Sequence, residues 1–194
     1  MRNLQKMKRM SIDDVQMGFS KIEKEEQALY VGKWRYTYDS QGNLKPGSVN
    51  DGKNTATICV EGRSETTELL SNSDFISMKD SGSCSANTAT QFFDFIHRFT
   101  NVEWCKKKED GKWTVFTDHD SSNVNPRTTS KTEEVTHSHT GKSAALPSPD
   151  DQTRANQDAA KGYHIKWTVA YNGTYQNYEG YGAYGEPYKY GYSY

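Results

Sequence analysis

The sequence predicts a mainly β protein: an antiparallel β-sandwich of jelly-roll type with an N-terminal amphipathic helix and one short inserted helix. Three observations carry that prediction. Apolar residues recur at every second position in several short runs, such as Trp34, Tyr36 and Tyr38, or Ala56, Ile58 and Val60, which is the period of a strand with one buried face. Clusters of Gly, Asn, Asp and Ser separate these runs where turns are needed. Aromatic residues make up 12% of a chain that is only 33% hydrophobic, so the core has to be assembled from large rings, which suit a pleated surface.

Residues 1–10 hold Arg2, Lys6, Lys8 and Arg9 and no acidic residue; such a segment cannot fold alone and reads as a basic arm able to touch phosphate. Ser11 and Asp14 then resemble a capping pair, and Ile12, Val15, Phe19 and Ile22 follow at helical spacing, so residues 11–28 are expected to form an amphipathic helix. Residues 29–174 are expected to form one β-sandwich domain. Its first strand places Trp34, Tyr36 and Tyr38 opposite Lys33, Arg35 and Thr37 and ends at the turn Ser40-Gln41-Gly42-Asn43. Ala56, Ile58 and Val60 mark the second strand. Leu69 and Leu70, then Phe75, Ile76 and Met78, suggest one or two further short strands.

The densest apolar stretch is residues 89–117. Phe92, Phe95, Ile96 and Phe99 share one helix face, with Thr88 and Gln91 as the expected capping box. Val102, Trp104, Trp113 and Val115 then alternate on either side of Glu109-Asp110-Gly111, the pattern of a hairpin. Residues 121–161 contain no Phe, Trp or Tyr and are expected to be a polar surface excursion, because so little apolar area cannot repay the entropy of ordering. Within it, residues 128–139 alternate loosely enough for an edge strand. Tyr163, Ile165, Trp167, Val169 and Tyr171 form the cleanest alternating run, and Asn172-Gly173 supplies a type I′ turn. Residues 175–194 are a Tyr/Gly-rich tail.

Composition excludes several classes. A formal net charge of −1 provides no general field for nucleic acid. No run is long enough to span a membrane, and the first residues lack the apolar centre of an export signal. Cys59, Cys84 and Cys105 are odd in number and without CxxC spacing, so free thiols are expected rather than disulfides or a zinc site. No phosphate cradle, nucleophile elbow or His-Glu-x-x-His pattern occurs, so neither an enzyme nor a cofactor is expected.

Three groups could still carry chemistry. His97 lies beside Asp94 and Arg98 on the expected polar side of the central helix, where a surface hydrogen bond is the simplest role. Asp118, His119 and Asp120, with Asn123, could offer oxygen and nitrogen to a cation. His137 and His139 would share one face of a strand, but two ligands do not make a site, so no metal is expected. The tail is the most unusual feature: Tyr175, Tyr178, Tyr181, Tyr184, Tyr188, Tyr190, Tyr192 and Tyr194 alternate with Gly and polar residues, and that much ring area calls for a surface to lie on.

The plan of basic arm, amphipathic segment, aromatic-rich strands, inserted helix and aromatic C-terminus resembles the coat proteins of small positive-strand RNA viruses of the sobemovirus and barnavirus kind. The resemblance covers the whole chain in outline. It implies a structural protein of the virion, made in the host cytoplasm without a signal peptide, that assembles with copies of itself and packages genomic RNA. Arg2, Lys6, Lys8 and Arg9 would then face the RNA, and the tail tyrosines would clamp a neighbouring subunit or cap the fold's own sheet. The competing readings are a lectin-like or membrane-binding, cytolysin-like β-sandwich, and a ligand carrier of lipocalin type suggested by Gly32-Lys33-Trp34.

Overall fold

The computed structural model describes residues 34–45, 55–140 and 145–181. The basic arm, the helix expected over 11–28 and Tyr184, Tyr188, Tyr190, Tyr192 and Tyr194 lie outside the described residues. What is described is β-rich: two mixed sheets and three helices. No helix among the described residues is long and apolar enough to cross a membrane.

The first sheet has three strands in the order β1-β2-β3, with β1 Trp34–Tyr38, β2 Ala56–Val60 and β3 Thr66–Leu69. Tyr36 and Tyr38 turn inward as their period demands, and the buried Tyr36 hydroxyl donates to Asn72 Oδ1 at 2.7 Å, satisfying a group that would otherwise be costly to bury. β1 runs parallel to β2, and β3 antiparallel to it.

Helix α1, Asn72–Ser81, follows. Phe75 and Met78 are buried on it, so the run expected as strand is helical. The reason lies at its ends: Ser71 caps Asp74 N–H, and Gly82, at φ 79°, closes the C-terminus in the left-handed region. Helix α2, Ala86–Phe99, is capped by Ser85, which accepts from Thr88 N–H, one turn earlier than the expected Thr88–Gln91 box. It buries Phe92, Phe93, Phe95 and Ile96 and packs against β2 and β3 of the first sheet and against the strands Cys105–Glu109 and Lys112–Phe116 of the second.

The second sheet has five strands in the order β5-β4-β6-β7-β8: β4 Cys105–Glu109, β5 Lys112–Phe116, β6 Thr132–Ser138, β7 Lys166–Tyr171 and β8 Thr174–Tyr178. The two expected hairpin turns are present, with Asp110 and Gly111 at φ 51° and 74°, and Asn172 and Gly173 at 46° and 81°, as a type I′ connection requires. Val102, Glu103 and Trp104 are all buried ahead of β4, so the alternation expected there is not what organises them.

Three expectations need correction. The sheets are not purely antiparallel, since β1 pairs parallel with β2 and β6 parallel with β7. A parallel pair needs a crossover, and helix α3, Pro149–Ala160, lies on the connection between β6 and β7. The polar excursion therefore contains a strand and a helix. The strand falls within the run 128–139 expected as one, whereas the sequence hides the helix because α3 buries Gln152, Ala155 and Asp158 rather than large apolar side chains. Finally, β6 is not an edge strand: it is the middle of five and buries Val135, Thr136, His137 and Ser138 in succession.

Candidate metal centre

Residues two apart on a strand share a face. His137 in β6 and His139 just beyond its end therefore point the same way, toward α3. His139 stays in register because its N–H donates to Ala170 O at 2.8 Å. Across the sheet, β4 pairs antiparallel with β6 so that Cys105 opposes His137, and Ser138 N–H donates to Trp104 O at 2.9 Å. Glu103, two residues ahead of Cys105, is buried near this end of the sheet, where His139 and Asp151 act electrostatically on its carboxyl. The rest of the face is apolar: Cys105, Val135 and Trp167 pack under Ala155 of α3, with Tyr178 at the margin.

The third component comes from the start of α3. Ser148 is the N-cap, Pro149 follows, and Asp151 closes a capping box: Ser148 Oγ accepts from Asp151 N–H, and Asp151 Oδ2 accepts from Ser148 N–H at 2.8 Å and Ser148 Oγ–H at 2.7 Å. The box fixes the carboxylate over the histidine pair. Asp151 Oδ1 lies 3.1 Å from His137 Nε2, Asp151 Oδ2 lies 3.0 Å from His139 Nε2, and the two Nε2 atoms are 3.2 Å apart. The His137, His139 and Asp151 side chains are 6%, 11% and 16% exposed.

Protons alone leave this triangle unsatisfied. Each imidazole nitrogen either donates or accepts, so if both donate to the carboxylate, two N–H groups face each other across the remaining edge. A divalent cation satisfies all three edges at once. A tetrahedral ion about 2.0–2.1 Å from each donor needs donor separations of roughly 3.3 Å, close to those observed. Two imidazoles and one carboxylate suit zinc and its first-row neighbours, and His137, His139 and Asp151 are the one such convergent group among the described residues.

Electrostatics agree with an anionic cradle. Burial pushes the Asp151 carboxyl upward, but hydrogen bonds from His137, His139 and Ser148 outweigh it and hold the group well below the usual carboxylate range. His139 is raised, chiefly by its bond to Asp151. Glu103 is 6% exposed, and burial pushes its carboxyl up to about 7, opposed by His139 and reinforced by Asp151 and Asp120.

The other residues singled out in the sequence lie elsewhere. His97 is buried rather than on a polar surface: it stacks on Phe93 at 5.0 Å, and both ring nitrogens lack hydrogen-bond partners, so no pairing with Asp94 forms. Asp118 binds Arg127 at 2.9 Å, Asp120 accepts from Ser122, and His119 Nδ1 lies 2.9 Å from Gln41 O. These loop residues, with Asn123, do not converge on a cation. Tyr175 donates to Asp94, Tyr178 lies edge-on to His137 with its hydroxyl buried and unpartnered, and Tyr181 N–H donates to Asn156 Oδ1 at 2.8 Å.

Sequence reasoning found His137 and His139 but missed Asp151 and Glu103. A signal for Asp151 was present in Ser148-Pro149-Asp150-Asp151, a helix start with Pro at the first helical position. Glu103 carries no local signal, because only tertiary structure brings it near His139. No family model matches the chain, and no curated protein or solved structure matches it either.

Proposed function

We propose that this protein is a metal-dependent hydrolase, with His137, His139 and Asp151 holding a zinc-type ion and Glu103 acting as general base. The observation that carries this reading is the convergence of those three donors near a buried carboxyl, that of Glu103. Three protein donors would leave such an ion a position open for water, as in catalytic rather than structural zinc sites, and the ion would lower the pKa of that water and polarise a substrate oxygen.

Glu103 supplies the proton traffic. It would accept a proton from the attacking water as the oxygen adds to the electrophilic centre and return it to the leaving group as the bond to that group breaks, with one water consumed. Ser148 holds Asp151 in place and so keeps the ligand set rigid. This reading departs from the expectation of a non-enzymatic chain, which rested on the absence of a recognisable motif.

The test is metal content together with hydrolysis of a peptide library by the zinc-loaded chain. Glu103→Gln is expected to keep its zinc and to lose activity by about 10²–10⁴-fold. His137→Ala is expected to lose the zinc as well. A zinc-loaded Glu103→Gln chain that hydrolyses as fast as the native one removes Glu103 from the mechanism, and a chain that takes up no zinc removes the reading altogether.

Assembly into an RNA-packaging shell is the second reading, favoured by one observation. Among the described residues β8 is an edge strand of the five-stranded sheet, it carries Tyr175 at 42% exposure, and the Tyr/Gly sequence continues directly from it. In that reading the two sheets act as layers of a jelly-roll-type sandwich, and Arg2, Lys6, Lys8 and Arg9 face RNA. Light scattering combined with the nucleic-acid absorbance of purified material separates the two: particles carrying RNA support the shell, and a solitary zinc-binding chain supports the hydrolase.

A further inference from the structure

Tyr178 is the last residue of β8, and two strand registers place it on the face that carries the histidines. It pairs with Trp167 of β7, which pairs in turn with Val135 of β6, two positions before His137; residues paired across a sheet, like residues two apart on a strand, point the same way. Its ring lies edge-on to that of His137, with the centroids 6.3 Å apart. The chain just beyond it is tied to α3 beside the third donor. Gln152, the neighbour of Asp151, donates from Nε2 to Glu179 O at 2.7 Å, and Tyr181 N–H donates to Asn156 Oδ1 at 2.8 Å. Tyr178 is thereby held between a histidine and the first turns of the crossover helix.

The hydroxyl has no part in that packing. The ring fills space against Trp167, with the centroids 5.9 Å apart, and phenylalanine would fill it as well. Yet the phenolic oxygen is buried without a hydrogen-bond partner among the described residues, a cost that folded proteins normally avoid. Burial, and after it the Asp151 carboxylate, push the pKa of this group up, opposed by Arg154 and reinforced by Cys105. At neutral pH it is therefore an O–H donor without an acceptor. The charge that acts on it most strongly belongs to the residue that clasps both histidines.

We infer that Tyr178 donates a hydrogen bond to the substrate oxygen that an ion held by His137, His139 and Asp151 would polarise, and so shares the negative charge that develops there as water adds. The inference rests on the hydrolase reading and adds a second electrophilic group to that site. Tyr178 transfers no proton: Glu103 moves the proton, and the phenol stays protonated throughout. A donor fixed in advance against a developing oxyanion needs no rearrangement at the moment of reaction, which is why such groups contribute strongly to rate.

The test compares the full native chain with Tyr178→Phe, which keeps the ring and loses only the oxygen. Both are loaded with cobalt(II), whose visible spectrum reports its ligands, and titrated with azide, an anion that coordinates the metal and accepts a hydrogen bond. Tyr178→Phe is expected to hold cobalt as tightly as the native chain and to bind azide about tenfold more weakly. As the zinc form it is expected to hydrolyse roughly 100–1000-fold more slowly in kcat, with little change in KM. Equal azide affinity in the two chains, or an undiminished kcat, overturns the inference and leaves the hydrolase reading standing. Cobalt affinity that falls together with azide affinity also overturns it, because it assigns Tyr178 to the ligand set. If neither chain hydrolyses anything, the hydrolase reading fails on its own account, and azide affinity that depends on the hydroxyl still upholds the donor. A native chain that binds no metal removes both.

Discussion

His139 and Asp151 are 12 positions apart in sequence, yet Nε2 of one lies 3.0 Å from Oδ2 of the other. That contact joins the end of the central strand of the second sheet to the first turn of the crossover helix. The same few residues therefore perform two tasks: they start a helix and they close a ligand set. A capping box ordinarily satisfies only backbone donors. Here its carboxylate has a second face, which is turned to the imidazoles.

Removing the ion tests that arrangement directly. A ligand that binds only the folded chain adds stability as RT ln(1 + [L]/Kd), about 2.7 kcal/mol at a hundredfold excess over Kd. Chelation is expected to lower the melting temperature of the native protein, and zinc to restore it. The same cycle applied to His137→Ala or Asp151→Asn is expected to give little or no shift. Calorimetric melting with and without chelator measures it, and equal shifts in native and variant chains would show that zinc binds elsewhere.

Ser148→Ala separates helix capping from metal holding. Losing the cap is expected to cost about 1 kcal/mol of folding stability. Losing the hydroxyl bond to Asp151 is expected to weaken zinc binding by roughly 10–100-fold, as for other groups that orient a ligand. Thr153→Ala serves as the control, because its hydroxyl bonds only the Pro149 carbonyl of the same helix and does not reach the ligands. Competition with a chromophoric chelator gives the affinities.

How much of this was legible beforehand depended on the range of the signal. The alternation of Tyr36 with Tyr38 and the positive-φ turns at Asp110-Gly111 and Asn172-Gly173 are local, and the sequence shows them. α3 was not legible because Gln152, Ala155 and Asp158 are a poor apolar stripe; the helix is held by its cap and by the face it covers. The parallel pairing of β6 with β7 is a property of the crossover and leaves no periodic mark. Half of the candidate site was visible for the same reason: His137 and His139 are two apart on one strand, whereas Glu103 and Asp151 reach them only through tertiary structure.

His97 gives a pH dependence of stability that belongs to the core. Burial depresses its pKa from the ordinary 6.5 to about 4, and Arg98 and Lys106 add to this while Asp94 opposes it. Phe93 and the Tyr175 ring complete its surroundings. The unfolded chain therefore binds a proton between pH 6.5 and 4 that the folded chain refuses, so stability falls as the pH drops through that window. At about 1.4 kcal/mol per unit, the loss approaches roughly 3 kcal/mol at the acid end. In His97→Leu this part of the slope is expected to vanish. Denaturant titrations of both chains in chelator across that range provide the comparison, and parallel profiles would exclude His97 as the source.

Gly42 links the first sheet to the position of Glu103. The turn that contains it docks on the segment ahead of β4: Asn101 N–H donates to Ser40 O at 2.7 Å, and His119 Nδ1 lies 2.9 Å from Gln41 O. Gly42 has φ 75°, and a Cβ there would come within 3.0 Å of Val102 Cγ2 and 3.1 Å of Trp104 Cζ2. Gly42→Ala therefore combines a left-handed backbone with a crowded contact, and the two together are expected to cost about 2 kcal/mol or more. Val102 and Trp104 flank Glu103 on either side, so side-chain relief of the clash is expected to displace the carboxyl first, while the two hydrogen bonds between the Trp104 backbone and Ser138 hold β6 and its histidines in place. The expected signature is a chain that binds zinc with native affinity but hydrolyses more slowly, mainly in kcat. Zinc affinity that falls in step with activity would instead place the damage at the ligands.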